Sequence, residues 1–199
     1  MIPVTQQRYY SPEEYLELEE TAEFRSEYHA GEIIPMTGGT PNHNLIAIYF
    51  TTAILAALRG QPYLIFMSDL RLWIPQRKIY TYPDVMVVPR PLELVEGRKD
   101  TITNPLMIAE VLSKSTESYD RGKKFEHYRT IPTFQEYILI DQYRMHVDQF
   151  SKTEEGRWLF SEYDGEAAVL SLTSVPFQIP LTDIYQEIEF ETELEGEEQ

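Results

Sequence analysis

Residues 80–88 read YTYPDVMVV, and residues 104–129 read NPLMIAEVLSKSTESYDRGKKFEHYR. Each contains an apolar run of strand length, and each run carries one carboxylate, Asp84 and Glu110. The run from Leu106 to Ala109 hardly alternates, which suits a central strand covered on both faces. Burying a carboxylate in such a setting is expensive unless something pairs with it. The segment from Tyr119 to Thr130 predicts a helix capped by Ser118. Within it Asp120, Lys124 and Tyr128 recur at intervals of four and share a face. Two carboxylates at the ends of neighbouring strands, with a lysine on the helix that follows, make a candidate divalent-metal and phosphate site. Oxygen ligands suit Mg²⁺ or Mn²⁺.

The flanking segments read as scaffold. Ser11-Pro12-Glu13-Glu14 is a helix start, with a capping serine, a proline at the first helical position and Glu14 three residues after the cap. Residues 27–36 predict two short strands joined at Ala30-Gly31. A helix from about His43 to Arg59, capped by Asn42 or Thr40, is apolar around most of its girth and is expected to be largely buried. Strands are expected over 63–67, 70–74 (separate from the preceding strand or continuous with it) and 79–88. A polar connection fills 89–104, and further strands follow over 105–112, 135–140, 145–150, 158–163, 168–172 and 175–179. This is the pattern of an α/β or α+β domain with a mixed sheet between helices. A single domain is expected over 1–185, followed by an acidic tail over 186–199.

Composition narrows the function. The 199 residues carry a net charge of −16, which opposes broad electrostatic attraction to nucleic acid. Part of that charge lies in residues 186–199, which hold seven glutamates and no base. No cysteine is present, which excludes disulfides, thiolate zinc sites and cysteine nucleophiles and fits a reducing cytoplasm. No apolar stretch suggests a membrane span, and the N-terminus does not read as a secretory signal. The HExxH, GxSxG and GxxxxGK motifs are absent.

Each candidate also has a plainer role. Asp84 follows Pro83 and could lie at a strand edge; Glu110 could emerge into solvent. Lys124 either points toward the carboxylates or forms a surface ion pair with Asp120. Glu27 could complete a metal's coordination, a role for which Glu32 competes. His43 stands at a helix start, where it binds phosphate or caps a packing contact. Arg121 and Arg129 are candidates for neutralising phosphate, or ordinary solvated helix residues. Lys123 points about a quarter-turn away from Lys124 and is the lesser candidate.

Taken together, RSEYHAGEIIPM (25–36) with PNH (41–43), YPDVMVV (82–88), AEVLSKSTESYDRGKKFEHYR (109–129) and FQEYILID (134–141) resemble the Uma2-like family of restriction endonucleases, within the PD-(D/E)xK nuclease superfamily. The resemblance covers roughly residues 10–150. It implies a restriction-endonuclease-like fold and metal-dependent hydrolysis of DNA phosphodiesters. Glu27, Asp84 and Glu110 would hold Mg²⁺ or Mn²⁺, assisted by the Val111 carbonyl, and Lys124 would act as the catalytic lysine. The residues themselves, apart from the resemblance, make His43, Arg121 and Lys123 the candidates for contacting substrate. Two departures stand out. Leu112 occupies the usual lysine position of the (D/E)xK motif; families of this kind can instead supply the lysine from the next helix, and the GKKFEHY segment places Lys124 in that role. His29-Ala30 also precedes Gly31 where the family has a different pair. The competing expectation is a non-catalytic nucleic-acid- or protein-binding module on the same fold. A second copy, in a homodimer, would be one source of the positive surface this chain lacks.

Overall fold

The two apolar runs lie side by side at the centre of a mixed sheet. The computed structural model describes residues 8–190. In chain order its elements are α1 (Pro12–Thr21), β1 (Ser26–His29), β2 (Glu32–Pro35), α2 (Pro41–Ala57), β3 (Tyr63–Met67), β4 (Arg71–Ile74), β5 (Ile79–Thr81), β6 (Val85–Pro89), β7 (Thr101–Ile102) and β8 (Met107–Leu112). They continue with α3 (Glu117–Tyr119), a π-helical turn (Asp120–Lys124), α4 (Phe125–Tyr128), β9 (Glu136–Asp141), β10 (His146–Lys152), β11 (Trp158–Asp164), β12 (Val169–Ser171), β13 (Gln178–Pro180) and α5 (Leu181–Ile184). The architecture is α+β. A six-stranded sheet has the order β11-β10-β9-β8-β6-β3, and a five-stranded sheet the order β2-β1-β5-β4-β7. Strands β8 and β9 run parallel and the other pairs of the larger sheet are antiparallel. A parallel pair needs a crossover, and here the α3–π–α4 segment supplies it.

Alternation along the central strands sorts side chains to two cores. Val85, Val87, Met107, Ala109, Val111, Ile138 and Ile140 face α2 and the C-terminal elements. Met86, Val88, Ile108, Leu112 and Leu139 face the other way, against Tyr128, Phe134 and the strands of the smaller sheet. Glu110 lies between Ile108 and Leu112 in the period of two, so its side chain falls on the second face.

Several expectations change in detail. The predicted strand 79–88 is two strands in two different sheets, and Asp84 sits in the bend between them. Pro83 offers no N–H to a ladder, which fits a break there. The predicted strands 63–67 and 70–74 likewise belong to separate sheets. The polar connection 89–104 contains β7, which pairs parallel with β4. Helix α2 is not buried all round: Ile46, Ala47, Phe50, Thr51 and Ile54 face the core, whereas Ile48 and Leu55 are exposed. Its cap is Thr40, whose hydroxyl accepts from the His43 amide. The expected 119–130 helix starts at Glu117, with Thr116 rather than Ser118 at the cap, and is interrupted by the π turn. The capping box at Ser11 and Glu14 forms as expected. Ala30 and Gly31 both take positive φ, 48° and 115°, as a two-residue hairpin turn between β1 and β2 requires. Of the expected acidic tail, Ile188 and Phe190 pack on the core and Glu187 accepts from the Tyr49 hydroxyl; residues 191–199 lie outside the described range. No helix among the described residues is long and apolar enough to cross a membrane.

The C-terminal elements are tied to the sheet by one buried carboxylate. Glu136, at the start of β9, accepts from the Thr173 and Ser174 amides, from both their hydroxyls, and from Gln149. Removing it leaves those donors unpaired, so Glu136→Ala should destabilise the fold by about 3 kcal/mol. Urea denaturation monitored by tryptophan fluorescence measures this as a fall in midpoint at unchanged slope.

Candidate active site

The pairing of β6 with β8 brings Asp84, just before β6, beside Glu110. The Val111 amide donates to Asp84 Oδ2 at 2.8 Å, and the Asp84 amide lies 3.4 Å from Glu110 Oε2. Glu110 is 4% exposed, yet well paired on its other oxygen. Tyr128 donates to Oε1 at 2.7 Å, and Lys124 Nζ stands 3.0 Å from the same atom. Lys124 therefore reaches Glu110 from the crossover that follows β8. Leu112 fills the usual lysine position with an apolar side chain packed in the core. The Asp120–Lys124 pair is not a surface ion pair: its 3.1 Å contact lies in the interior.

The π turn places these groups. It runs over Asp120–Lys124, between two short α-helical pieces, and Tyr137 donates to the Asp120 carbonyl. Such turns interrupt the regular ladder and recur at functional sites. Asp120 Oδ1 is buried and accepts no well-formed hydrogen bond, although Lys124 Nζ is close.

Glu27 approaches from the smaller sheet. Its carboxylate takes His29 Nε2 at 2.8 Å and the Thr81 hydroxyl. Burial alone would raise this carboxyl, but the His29 hydrogen bond, the Lys124 charge and Thr81 outweigh it and hold it at about 2. His43 turns toward Asp84, with Nε2 3.2 Å from Oδ2. Burial would lower its pKa; the Asp84 hydrogen bond and charge outweigh that and raise it. Burial raises Glu110, and the charges of Asp84 and Asp120 raise it further, against Lys124. Burial opposes the charge on Lys124, but Glu110 and the neighbouring acids more than offset it.

These groups line one pocket of about 580 Å³. Glu27, Asp84, Glu110 and Lys124 all contribute, with side chains 14%, 18%, 4% and 12% exposed, and so do His43 and Asp120. The rest of the lining includes residues 34–40 and 113–116, with Gln142 and Tyr143. Glu27, not Glu32, is the acid of the first hairpin that lines it.

Two expected substrate contacts lie elsewhere. Arg121 is held by Glu117 and by the buried Asp148, away from the pocket lining. Lys123 does not line the pocket either, since consecutive helical positions diverge. Near Arg121, the ligand atoms of His146, Asp148 and Glu162 lie within 4.8 Å of one another, a grouping that could accept a metal. Both His146 nitrogens there already contact carboxylates, Asp148 and Asp164. The pocket acids are not grouped that tightly among the described residues. The pocket nonetheless fits a hard cation by its donors. Asp84, Glu110, Glu27 and Asp120 offer only oxygen, and Asp120 Oδ1 is buried with the Lys124 ammonium as its ion-pair partner and no hydrogen-bond donor well aligned on it. The known partners of Asp84 gather on Oδ2, and the strong partners of Glu110 on Oε1. The second oxygen of each carboxylate is thus the less engaged.

Reading the chain alone missed the supporting partners: the Tyr128 hydroxyl on Glu110, His29 and Thr81 on Glu27, and His43 on Asp84. Only the spacing of four from Lys124 to Tyr128 hinted at the first.

Comparison with known proteins supports the same frame. The family model Uma2, described as "Putative restriction endonuclease", matches residues 12–182. Among curated proteins of Synechocystis sp. (strain ATCC 27184 / PCC 6803 / Kazusa), the chain is 41% identical to uncharacterized protein sll1609 over 160 residues, 80% of this chain and 90% of the relative. It is 38% identical to uncharacterized protein slr1290 over 182 residues, 90% and 93% of the two chains. Among solved structures it is similar to a "putative nuclease belonging to DUF820" from Anabaena variabilis ATCC 29413, with a TM-score of 0.73, 20% identity, and 88% and 97% of the two chains covered. That likeness shows a shared fold. A match across nearly all of the described residues, with relatives this similar over most of their own length, means that the chain belongs to the Uma2 family.

Proposed function

We propose that this protein is a divalent-metal-dependent endonuclease that hydrolyses DNA phosphodiester bonds in the pocket lined by Asp84, Glu110 and Lys124. The observation that carries this reading is the approach of Lys124 to Glu110, which rebuilds from a helix the acid–lysine pair that Leu112 removes from the strand. Asp84, Glu110 and Glu27 would hold Mg²⁺ or Mn²⁺, which supplies a polarised phosphate and a water of lowered pKa. The reaction adds one water across a P–O bond, the hydroxyl to phosphorus and the proton to the leaving oxygen. Lys124 keeps its charge beside that phosphate and balances the negative charge that develops there. Tyr128 and the Asp84 amide orient Glu110, and His43 and the Val111 amide orient Asp84.

Purified protein, tested on plasmid and on single-stranded oligonucleotide, should cut DNA with Mg²⁺ or Mn²⁺ and not with EDTA. Glu110→Gln and Lys124→Met should each lower the rate by about 100-fold or more, compared at equal folded fraction by circular dichroism, since each also breaks a buried pair. Equal cutting by all three proteins would refute the assignment.

Bound cation should also stabilise the fold. At about a hundred times its Kd, Mn²⁺ should add roughly 2.7 kcal/mol, seen as a rise in Tm. The rise should persist in His146→Ala and disappear in Asp84→Asn. The reverse pattern would move the ion to the cluster beside Arg121.

A further inference from the structure

The pocket's reactive floor and its rim differ in chemistry. Glu110 and Lys124 lie almost buried, whereas the same pocket is also lined by exposed apolar and aromatic side chains, Ile34 of β2, Met36 just after it, and Tyr143 after β9. A continuous duplex is held chiefly by cations that track its phosphates. Here the cations lining the pocket are Lys114 and Lys124, and Lys124 is already engaged by two carboxylates. Outside the lining, Arg121 and Arg144 are paired with Asp148 and Asp141. Lys114 instead faces Tyr143: its Nζ stands 5.1 Å from the ring centroid, and its amide donates to the Tyr143 hydroxyl at 3.1 Å.

From this arrangement we infer that the pocket takes an unpaired nucleotide, from a single strand or a splayed end, rather than a phosphate of an intact duplex. This rests on the nuclease reading above and names its substrate class. Tyr143, with Ile34 and Met36, offers the base an aromatic and apolar rim, and Lys114 offers one positive charge to a neighbouring phosphate. Stacking of this kind tolerates any base and does not need an extended basic surface. It also lets the scissile phosphate descend to carboxylates that a rigid helix, held outside the rim, would not reach.

The test separates binding from cutting. Fluorescence anisotropy would be measured with a labelled single-stranded 12-mer and with the same sequence as a duplex, in Ca²⁺, for the wild type, Tyr143→Ala and Tyr143→Phe. The single strand should bind at least about tenfold more tightly than the duplex. Tyr143→Ala should weaken single-strand binding about tenfold, and Tyr143→Phe, which keeps the ring, should restore most of it. Duplex binding as tight as single-strand binding, no binding of either, or indifference to Tyr143→Ala would overturn the inference. Cleavage of both forms in Mg²⁺ reports separately on the nuclease. Duplex cutting lost in Glu110→Gln, with no single-strand preference, would leave the nuclease standing and sink the unpaired-nucleotide site. Single-strand binding without metal-dependent cutting would do the opposite.

Discussion

A carboxylate placed in the middle of a buried strand must find a cation and donors, and Glu110 finds Lys124 and Tyr128. In a low-dielectric interior neither Glu110 nor Lys124 is tolerable alone. Lys124 stands on the crossover that joins the parallel strands β8 and β9, so the connection imposed by the sheet also carries the counter-charge. Tyr128 follows one helical turn later and closes the contact. The pair thus fixes how the crossover packs on the sheet as well as what the pocket contains.

The surplus of acid around that pair is the second constraint. Glu27, Asp84 and Asp120 gather near one lysine, with His29 and His43 each engaging an acid. Each of three carboxylates is steadied from another element: Asp84 by a β8 amide, Glu110 by the α4 tyrosine, and Glu27 by the Thr81 hydroxyl of β5. Fixed donors of this kind hold ligand oxygens in place before any cation arrives. Arg121, by contrast, is turned from the pocket by the buried Asp148, and the π turn gives it and Lys124 different destinations.

Much of this fold could be read from residue order because the signals are local. The Ser11 capping box, the Ala30-Gly31 turn and the apolar runs at β6, β8 and β9 depend on neighbours within a few residues. Positions at which tertiary packing chooses between equivalent local patterns were not legible. Helix α2 has two apolar stripes, and the sheet selects the one bearing Ile46, Phe50 and Ile54. The segment 79–88 has strand character throughout, yet its halves join different sheets, because Pro83 and Asp84 give no ladder to bridge them.

By itself the sequence determined which side chains could do chemistry, since Asp84, Glu110 and Lys124 stand out against apolar runs and a spacing of four. It also excluded a lysine at the strand position, because Leu112 is there. Only the tertiary structure decided that Lys124, not Lys123 or Arg121, reaches Glu110, and that Glu27 rather than Glu32 joins the pocket. The physical reason is range. Strand period and helix spacing set a side chain's direction within its own element, whereas distances between carboxylates on two sheets and a π turn arise only when those elements pack.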